Sequence, residues 1–145
     1  RLWYDATPEF LVDVRGDGVD ELIKKIDKAA KTYPYRNTYS VWPGPNSNTF
    51  VAWIGRLVPE LRLDLPPTAI GKDWLGKTKF FSSSTSGTGY QFSFLGILGI
   101  LLGVEEGLEI NILGLNFGID VLGMSLRLPG VGRLGAPRTI GPRAL

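Results

Sequence analysis

The pattern of apolar and polar residues separates a helical first half of the chain from a second half rich in short apolar runs. Apolar residues recur with helical spacing at Val19, Leu22, Ile23, Ile26 and Ala30, which predicts a first helix that ends near Tyr33, before Pro34. Asp17 is the predicted N-cap residue of this helix. Loose alternation over residues 9–14 predicts a strand before it.

A second helix is predicted to begin near Asn46, behind the rigid Pro43-Gly44-Pro45 segment, and to end at Pro59. Its apolar residues cover most of its circumference, and Arg56 is its one charged residue. A helix of this kind is predicted to pack on more than one side.

From Tyr90 to Leu128, short apolar runs are bounded by recurring glycines, a pattern typical of an antiparallel β-meander. A transmembrane helix is the alternative, but the longest uninterrupted apolar stretch is the 11 residues 94–104, and a span needs about 18. Residues 59–89 form a long connection in which the Ser/Thr/Gly run at 82–89 is predicted to be a flexible tip. The predicted fold is therefore α+β, with two helices packed on a glycine-rich antiparallel meander, as one domain over residues 9–135 followed by a flexible basic tail, 136–145.

Composition removes several classes of chemistry. The 145 residues carry a net charge of +2 and include neither cysteine nor histidine, which excludes disulfides, a thiol nucleophile and an imidazole base. The charge is too mild to predict nucleic-acid binding, and no cofactor or metal is predicted. Glu105, Glu106 and Glu109 are compatible with a carboxylate pair or an oxygen-ligand metal site, but a polar turn at 105–107 is the favoured interpretation.

The start of the second helix is the candidate site. Asn and Ser there are ordinary capping residues, but a helix N-terminus also favours a developing anion. The sharper hypothesis makes Ser47 a nucleophile, with Asn46 and Asn48 orienting it or stabilising an oxyanion. A serine needs a base, and Lys72, beside Asp73, is the loop candidate for a Ser–Lys pair. Further candidate binding residues are Trp42, Thr49, Lys72, Asp73 and Trp74.

Several motifs resemble a bacterial family of uncharacterised proteins, number 3750 among the domains of unknown function. They lie at residues 42–51, 65–73, 86–89, 106–109 and 128–130. The resemblance implies a protein of the bacterial cell envelope, periplasmic or membrane-anchored, with a hydrophobic anchor or signal and a His-bearing strand upstream, and hence an N-terminally truncated chain. It implies no activity, because none is established for the family.

The helix start Asn46-Ser47-Asn48-Thr49-Phe50-Val51 is also similar to that of permuted papain-like (NlpC-like) proteins, including relatives of lecithin–retinol acyltransferase. Ser47 falls where those proteins carry their cysteine nucleophile. This similarity implies a papain-like hydrolase or acyltransferase of envelope amides or esters. The alternatives are a non-catalytic module that binds an envelope lipid, peptide or peptidoglycan piece, and a structural domain paired with a membrane partner. Without a base, the chain itself is predicted to be inactive.

Overall fold

The computed structural model describes residues 10–135 and 142–144. The helices are α1 (Val19–Lys31) and α2 (Ser47–Leu57), and a single 3-10 turn follows at Pro59–Leu61. The strands are β1 (Val14–Arg15), β2 (Phe81–Ser83), β3 (Gly89–Phe94), β4 (Leu98–Gly103), β5 (Gly107–Ile112), β6 (Leu115–Asp120), β7 (Ser125–Leu128), β8 (Gly132–Gly135) and β9 (Arg143–Ala144).

Strands β2 to β8 form one seven-stranded sheet in which each strand pairs antiparallel with the next in sequence. The predicted α+β class and the β-meander are confirmed. Glycines occupy turns between strands, as at Gly96 and Gly114, where φ is positive. The short pair of β1 with β9 is parallel and separate from this sheet.

The sheet buries polar side chains and exposes apolar ones. Its inner face, which packs against α2 and the following segment, carries buried Gln91, Ser93, Glu109, Asn111, Asn116, Asp120, Ser125 and Arg127. The positions between them in the central strands form the outer face, which consists of Tyr90, Phe92, Phe94, Leu98, Ile100, Leu102, Leu108, Ile110, Ile112, Leu115, Phe117 and Ile119. This is the reverse of the usual arrangement, in which the apolar face of a sheet is the buried one.

The apolar core lies in the helical layer. Ala52 of α2 packs with Leu63, Leu65 and Ala69, and a second cluster joins Leu22, Ala29 and Val58 across the two helices. The indole N–H of Trp53 donates to the Ala29 carbonyl oxygen at 3.0 Å. These contacts fix α1 against α2 and hold α2 over the inner face.

Two predictions for the first segment are wrong in detail. The N-cap of α1 is Gly18, in the left-handed conformation, and not Asp17. Asp17 is exposed and makes no capping bond, because Gly18 reaches the required φ of 90° without a steric cost. Within residues 10–14, only Val14 is in a strand, where it pairs with Arg143. Glu9 lies outside the described residues.

Helix α2 begins and ends as predicted and packs on more than one side, although part of its apolar surface stays exposed. Thr49, Ala52 and Gly55 are its buried residues, whereas Val51 is 38% and Leu57 49% exposed. The helix has one neighbouring layer below it and α1 at one side. The apolar residues of α2 therefore extend beyond the surfaces that the helix buries.

The Ser/Thr/Gly run is also not an exposed tip. Ser84, Thr85 and Ser86 are at most 2% exposed, because they surround a carboxylate that comes from the turn between β4 and β5. Glu106 accepts hydrogen bonds from the Ser86 N–H (3.0 Å) and the Ser86 hydroxyl (2.8 Å). The predicted turn at Glu105–Gly107 is present, but the side chain of its second residue, Glu106, points inward to Ser86.

The predicted tail falls mostly outside the described residues, which omit 136–141 and 145. Within it, Arg143 and Ala144 form β9, and the Arg143 guanidinium donates to the Glu60 carbonyl oxygen.

Candidate functional site

The N-terminus of α2 is closed by a reciprocal capping arrangement. The Asn46 side-chain oxygen accepts from the Thr49 N–H at 3.0 Å, and the Thr49 hydroxyl oxygen accepts from the Asn46 N–H at 2.8 Å. Each residue thereby satisfies a backbone donor that a bare helix end would leave open. The geometry fixes where the next residue, Ser47, lies.

The two asparagines also tie neighbouring segments to the helix start. The Asn46 amide donates to the carbonyl oxygens of Val41 (2.9 Å) and Ile70 (3.2 Å), and the Asn48 amide donates to Ile70 at 2.9 Å. Gly71 lets the chain pass this close: a Cβ there would lie 2.6 Å from the Asn46 amide nitrogen, and its φ is +91°. In this conformation the amide donors are directed at backbone carbonyls, and an oxyanion role for either residue stays a prediction.

Ser47 is exposed and lies at the margin of an open cleft of about 780 Å³. The end of α1, the chain after it and the start of α2 form this cleft, which is lined by Ala30, Lys31, Tyr33, Tyr35, Arg36, Asn37, Thr38, Tyr39, Asn46, Ser47 and Phe50. Aromatic rings, amides and cations therefore surround the candidate nucleophile.

Tyr33 connects the cleft to the cap. Its hydroxyl lies 2.8 Å from the Thr49 hydroxyl, and its ring makes edge contacts with Tyr35 and Phe50 at centroid distances of 5.7 and 5.1 Å. Burial raises the pKa of the Tyr33 phenol above its ordinary value, so it stays protonated near neutral pH. Thr49 is buried, and it acts beneath the cleft through these bonds.

The structure does not bring Lys72 to Ser47. The Lys72 ammonium donates to the Leu65 carbonyl oxygen at 2.9 Å and lies 2.7 Å from a Glu109 carboxylate oxygen. Its side chain is 3% exposed in this ion pair. The amine that a Ser–Lys pair requires is therefore already bound beneath the sheet.

The other predicted binding residues lie around, but not in, the cleft lining. Asp73 is buried and accepts from the Asn111 amide. Trp74 is buried with its ring against Tyr35, at a centroid distance of 4.8 Å, and so supports a cleft residue from behind. Trp42 is 40% exposed.

A buried ionic cluster on the inner face is the largest feature that the sequence analysis missed. The Arg127 guanidinium donates to both oxygens of Asp64 at 2.6 Å and to Glu109 at 2.7 Å. Nearby, Arg133 donates to Asp120 at 2.6 Å. The signal was the alternation in β5 to β7, where charged, amide and serine residues or glycine alternate with apolar residues.

The cluster shifts the ionisation of its members. Burial alone would lower the pKa of Arg127, but the Asp64, Glu109 and Asp120 carboxylates raise it above the ordinary arginine value. Burial raises the pKa of Asp73 to about 6, partly offset by the nearby Lys72. The Arg56 guanidinium donates to the Lys72 carbonyl oxygen and to the Gln91 side-chain oxygen. Burial lowers its pKa to about 10, so it keeps its charge at neutral pH. The cluster is a paired network that joins the two layers.

Over residues 10–135 and 142–144, no group of three or more acidic side chains has the geometry to hold a metal ion. Of the helices in the same residues, none combines the length and the apolar character that crossing a bilayer requires.

Comparison with known families gives one match. Residues 1–74 match the family described as protein of unknown function (DUF3750), which is just over half of the 145-residue chain. The chain belongs to this family. The match includes the whole helix start and ends at Trp74, so the glycine-rich motifs lie beyond it. No curated protein and no solved structure matches the chain.

Proposed function

We propose that the cleft beside α2 is a non-catalytic binding site for a polar ligand that carries a carboxylate, of the kind found in peptidoglycan fragments. The observation that carries this proposal is the position of Ser47. It is exposed at the positive end of a helix, in a cleft lined by aromatic rings, and the chain contains no histidine to activate it.

The lining suits amino sugars and short peptides. Tyr35, Tyr39 and Phe50 offer ring faces and edges for the apolar side of a sugar or a peptide side chain. Arg36 matches a carboxylate with two parallel donors, and first-turn N–H groups of α2 favour an anion at the same end of the cleft.

A second function keeps Ser47 as a nucleophile, in a papain-like hydrolase or acyltransferase of envelope amides or esters. What favours it is the capped helix start, because Ser47 follows the capping residue directly and belongs to the cleft lining. It needs a general base, and the amine in the same cleft lining, that of Lys31, is already paired with Asp27 at 2.6 Å. We therefore expect no turnover from the 145-residue chain.

Localisation in the bacterial envelope is part of this proposal and rests on the family resemblance. Cell fractionation tests the location, and the binding experiment below tests the ligand class. Recovery of the natural protein in the cytoplasmic fraction would contradict the location.

Binding is tested by titrating the chain with a disaccharide-tripeptide muropeptide and following amide shifts by NMR. We expect shifts at Ser47 and Tyr35, and a loss of affinity of about tenfold or more in Arg36→Ala, the usual size for a lost charged contact. Lys28→Ala removes another exposed cation, one of α1 outside the cleft lining, and should leave affinity unchanged. Equal losses in the two variants would refute an Arg36 contact.

The enzymatic alternative has its own test on the natural full-length protein. Labelling of Ser47 by a fluorophosphonate probe, together with ester or amide turnover that Ser47→Ala abolishes, would establish the nucleophile. That result would overturn the non-catalytic proposal.

A further inference from the structure

The outer face of the sheet, defined above, is an unbroken apolar surface. Its twelve side chains are each between 43% and 66% exposed, and none of them is charged. The strand register aligns them in rows, as in Tyr90–Leu102–Leu108–Ile119 across β3 to β6. No polar position interrupts such a row.

The size of this face exceeds what a monomer normally leaves in water. If each side chain exposes about half of the ~150–250 Å² that a large aromatic side chain can bury, the face amounts to roughly 1,000 Å². The largest apolar patch on a typical monomer is about 300–600 Å². The face therefore requires a partner, and its chemistry is purely apolar.

The turns at one end of the sheet indicate which kind of partner covers the outer face. Val104, between β4 and β5, and Val121, Leu122 and Met124, between β6 and β7, are 56%, 78%, 76% and 76% exposed. A second flat sheet would cover the outer face but leave these tips in water. A fluid hydrocarbon phase covers both.

The residues at the β2 edge of the sheet also fit a hydrocarbon phase as the partner. Phe81 stacks on Tyr90 at a centroid distance of 5.6 Å, and Phe80 on Phe94 at 5.8 Å. Exposed Lys79 directly precedes this aromatic group. Aromatic rings with an adjacent lysine are typical of residues at the level of lipid headgroups.

Most of the backbone of the central strands also suits an apolar medium. Strands β3 to β7 each have a paired strand on both sides within the sheet, which satisfies most of their N–H and C=O groups. The ladder between β6 and β7 covers Gly118–Asp120, so the first half of β6 and the short edge strands β2 and β8 keep an edge that this sheet does not pair.

We propose that the outer face and the turn tips at Val104 and Val121–Met124 lie against the hydrocarbon of a phospholipid bilayer, without crossing it. The sheet is embedded by about 5–10 Å, the depth of an interfacial element. The binding cleft is built from the helical layer, on the other side of the sheet, and this attachment is independent of its ligand.

The first test is flotation of the chain with neutral phosphatidylcholine vesicles, at low and high salt. We expect binding that salt barely changes, because the face is uncharged. Ile110→Glu on the face and Leu122→Glu at a tip should each lower the partition coefficient about tenfold or more. Ile23→Glu, the same kind of change on exposed α1, should leave it unchanged. Circular dichroism and melting curves verify the fold; where Ile110→Glu does not fold, Leu122→Glu decides.

The second test uses the absence of cysteine from the chain. Leu122→Cys carrying an environment-sensitive fluorophore should shift to the blue on addition of the vesicles, whereas labelled Ile23→Cys should not. A uniform dimer that ignores vesicles and becomes monomeric in Ile110→Glu would overturn the proposal in favour of a second copy. Vesicle binding that survives both glutamate substitutions, or aggregation without vesicle binding, would overturn it as well.

Discussion

At the scale of the residue, this protein shows how buried charges are made tolerable by exact pairing. Glu106 accepts hydrogen bonds from Ser86, and Arg127 bridges Asp64 and Glu109, the second of which also pairs with Lys72. Each of these charges is removed from water but faces an opposite charge or a hydrogen-bond donor, which limits the desolvation cost. Burial raises the pKa of Asp73 although Lys72 lies nearby. The effect of pH on stability therefore tests how far the charge of Asp73 is compensated.

Lowering the pH should stabilise the wild-type chain relative to Asp73→Asn. The folded pKa of Asp73 is about 6 and its ordinary value is 3.8, so between these values the folded state binds a proton that the unfolded state does not. The contribution of this group to stability is therefore highest at low pH and falls as the pH rises through about 6, by roughly 2–3 kcal/mol in all.

Urea denaturation of both proteins over a pH series measures this difference. The other carboxylates are common to both proteins, so the effects of those that do not interact with Asp73 cancel in the comparison. Two stability curves that run parallel from neutral pH to 3.8 would show that Asp73 has no raised pKa.

At the scale of the element, helix α2 is positioned by its first turn. Asn46 caps the helix and also joins it to Val41 and Ile70, which places the Ser47 hydroxyl relative to the cleft. A capping residue usually serves its own helix only. Here the same side chain organises three segments.

We expect Asn46→Ala to lower the free energy of unfolding by about 2–4 kcal/mol, from about 1 kcal/mol for the lost cap and about 0.5–1.5 kcal/mol for each of the two lost amide bonds. Asn48→Ala removes one bond at a more exposed position, and about 1 kcal/mol or less is expected. Asn46→Asp keeps the cap but turns a buried carboxylate oxygen toward two carbonyl oxygens, so it should cost more than Asn48→Ala. Thermal and urea unfolding measure all three, and an equal loss in Asn46→Ala and Asn48→Ala would refute the bridging role.

At the scale of the whole molecule, the helical layer and the sheet approach each other closely where α2 crosses the Ser/Thr/Gly run at residues 82–89. Gly55 makes this approach possible: a Cβ at that position would lie 2.6 Å from the Thr85 carbonyl oxygen and 3.2 Å from the Leu63 side chain. Arg56, the next residue, then reaches Gln91 on β3.

Gly55→Ala should therefore destabilise the protein, although alanine is the better helix former by about 1 kcal/mol. Overpacking against backbone costs about 1–3 kcal/mol, and we expect a net loss of up to about 2 kcal/mol in thermal unfolding. Val51→Ala, on the exposed side of the same helix, should change stability by less than about 1 kcal/mol. A Gly55→Ala protein more stable than wild type would show that the layers can separate without cost.

Much of the secondary structure could be predicted from local pattern, because capping, proline and glycine act within a few residues. The limits of α2 and the course of the meander were predicted in this way. Burial was predicted less well. Ser84–Ser86 and Glu106 have the sequence character of loop residues, and they are buried only because they contact each other at one end of the sheet. The Ser47 site was located, but its distance from Lys72 depends on the fold.

The sequence by itself determined that β3, β5 and β6 have one polar and one apolar face, because side chains alternate with a period of two along a strand. It also determined that the chain has no thiol and no imidazole chemistry. Only the tertiary structure decided which face is buried. The helical layer brings Asp64 and Lys72 to the sheet, and these charges find partners only on its polar side. The apolar side is thereby turned outward, away from the cleft at Ser47.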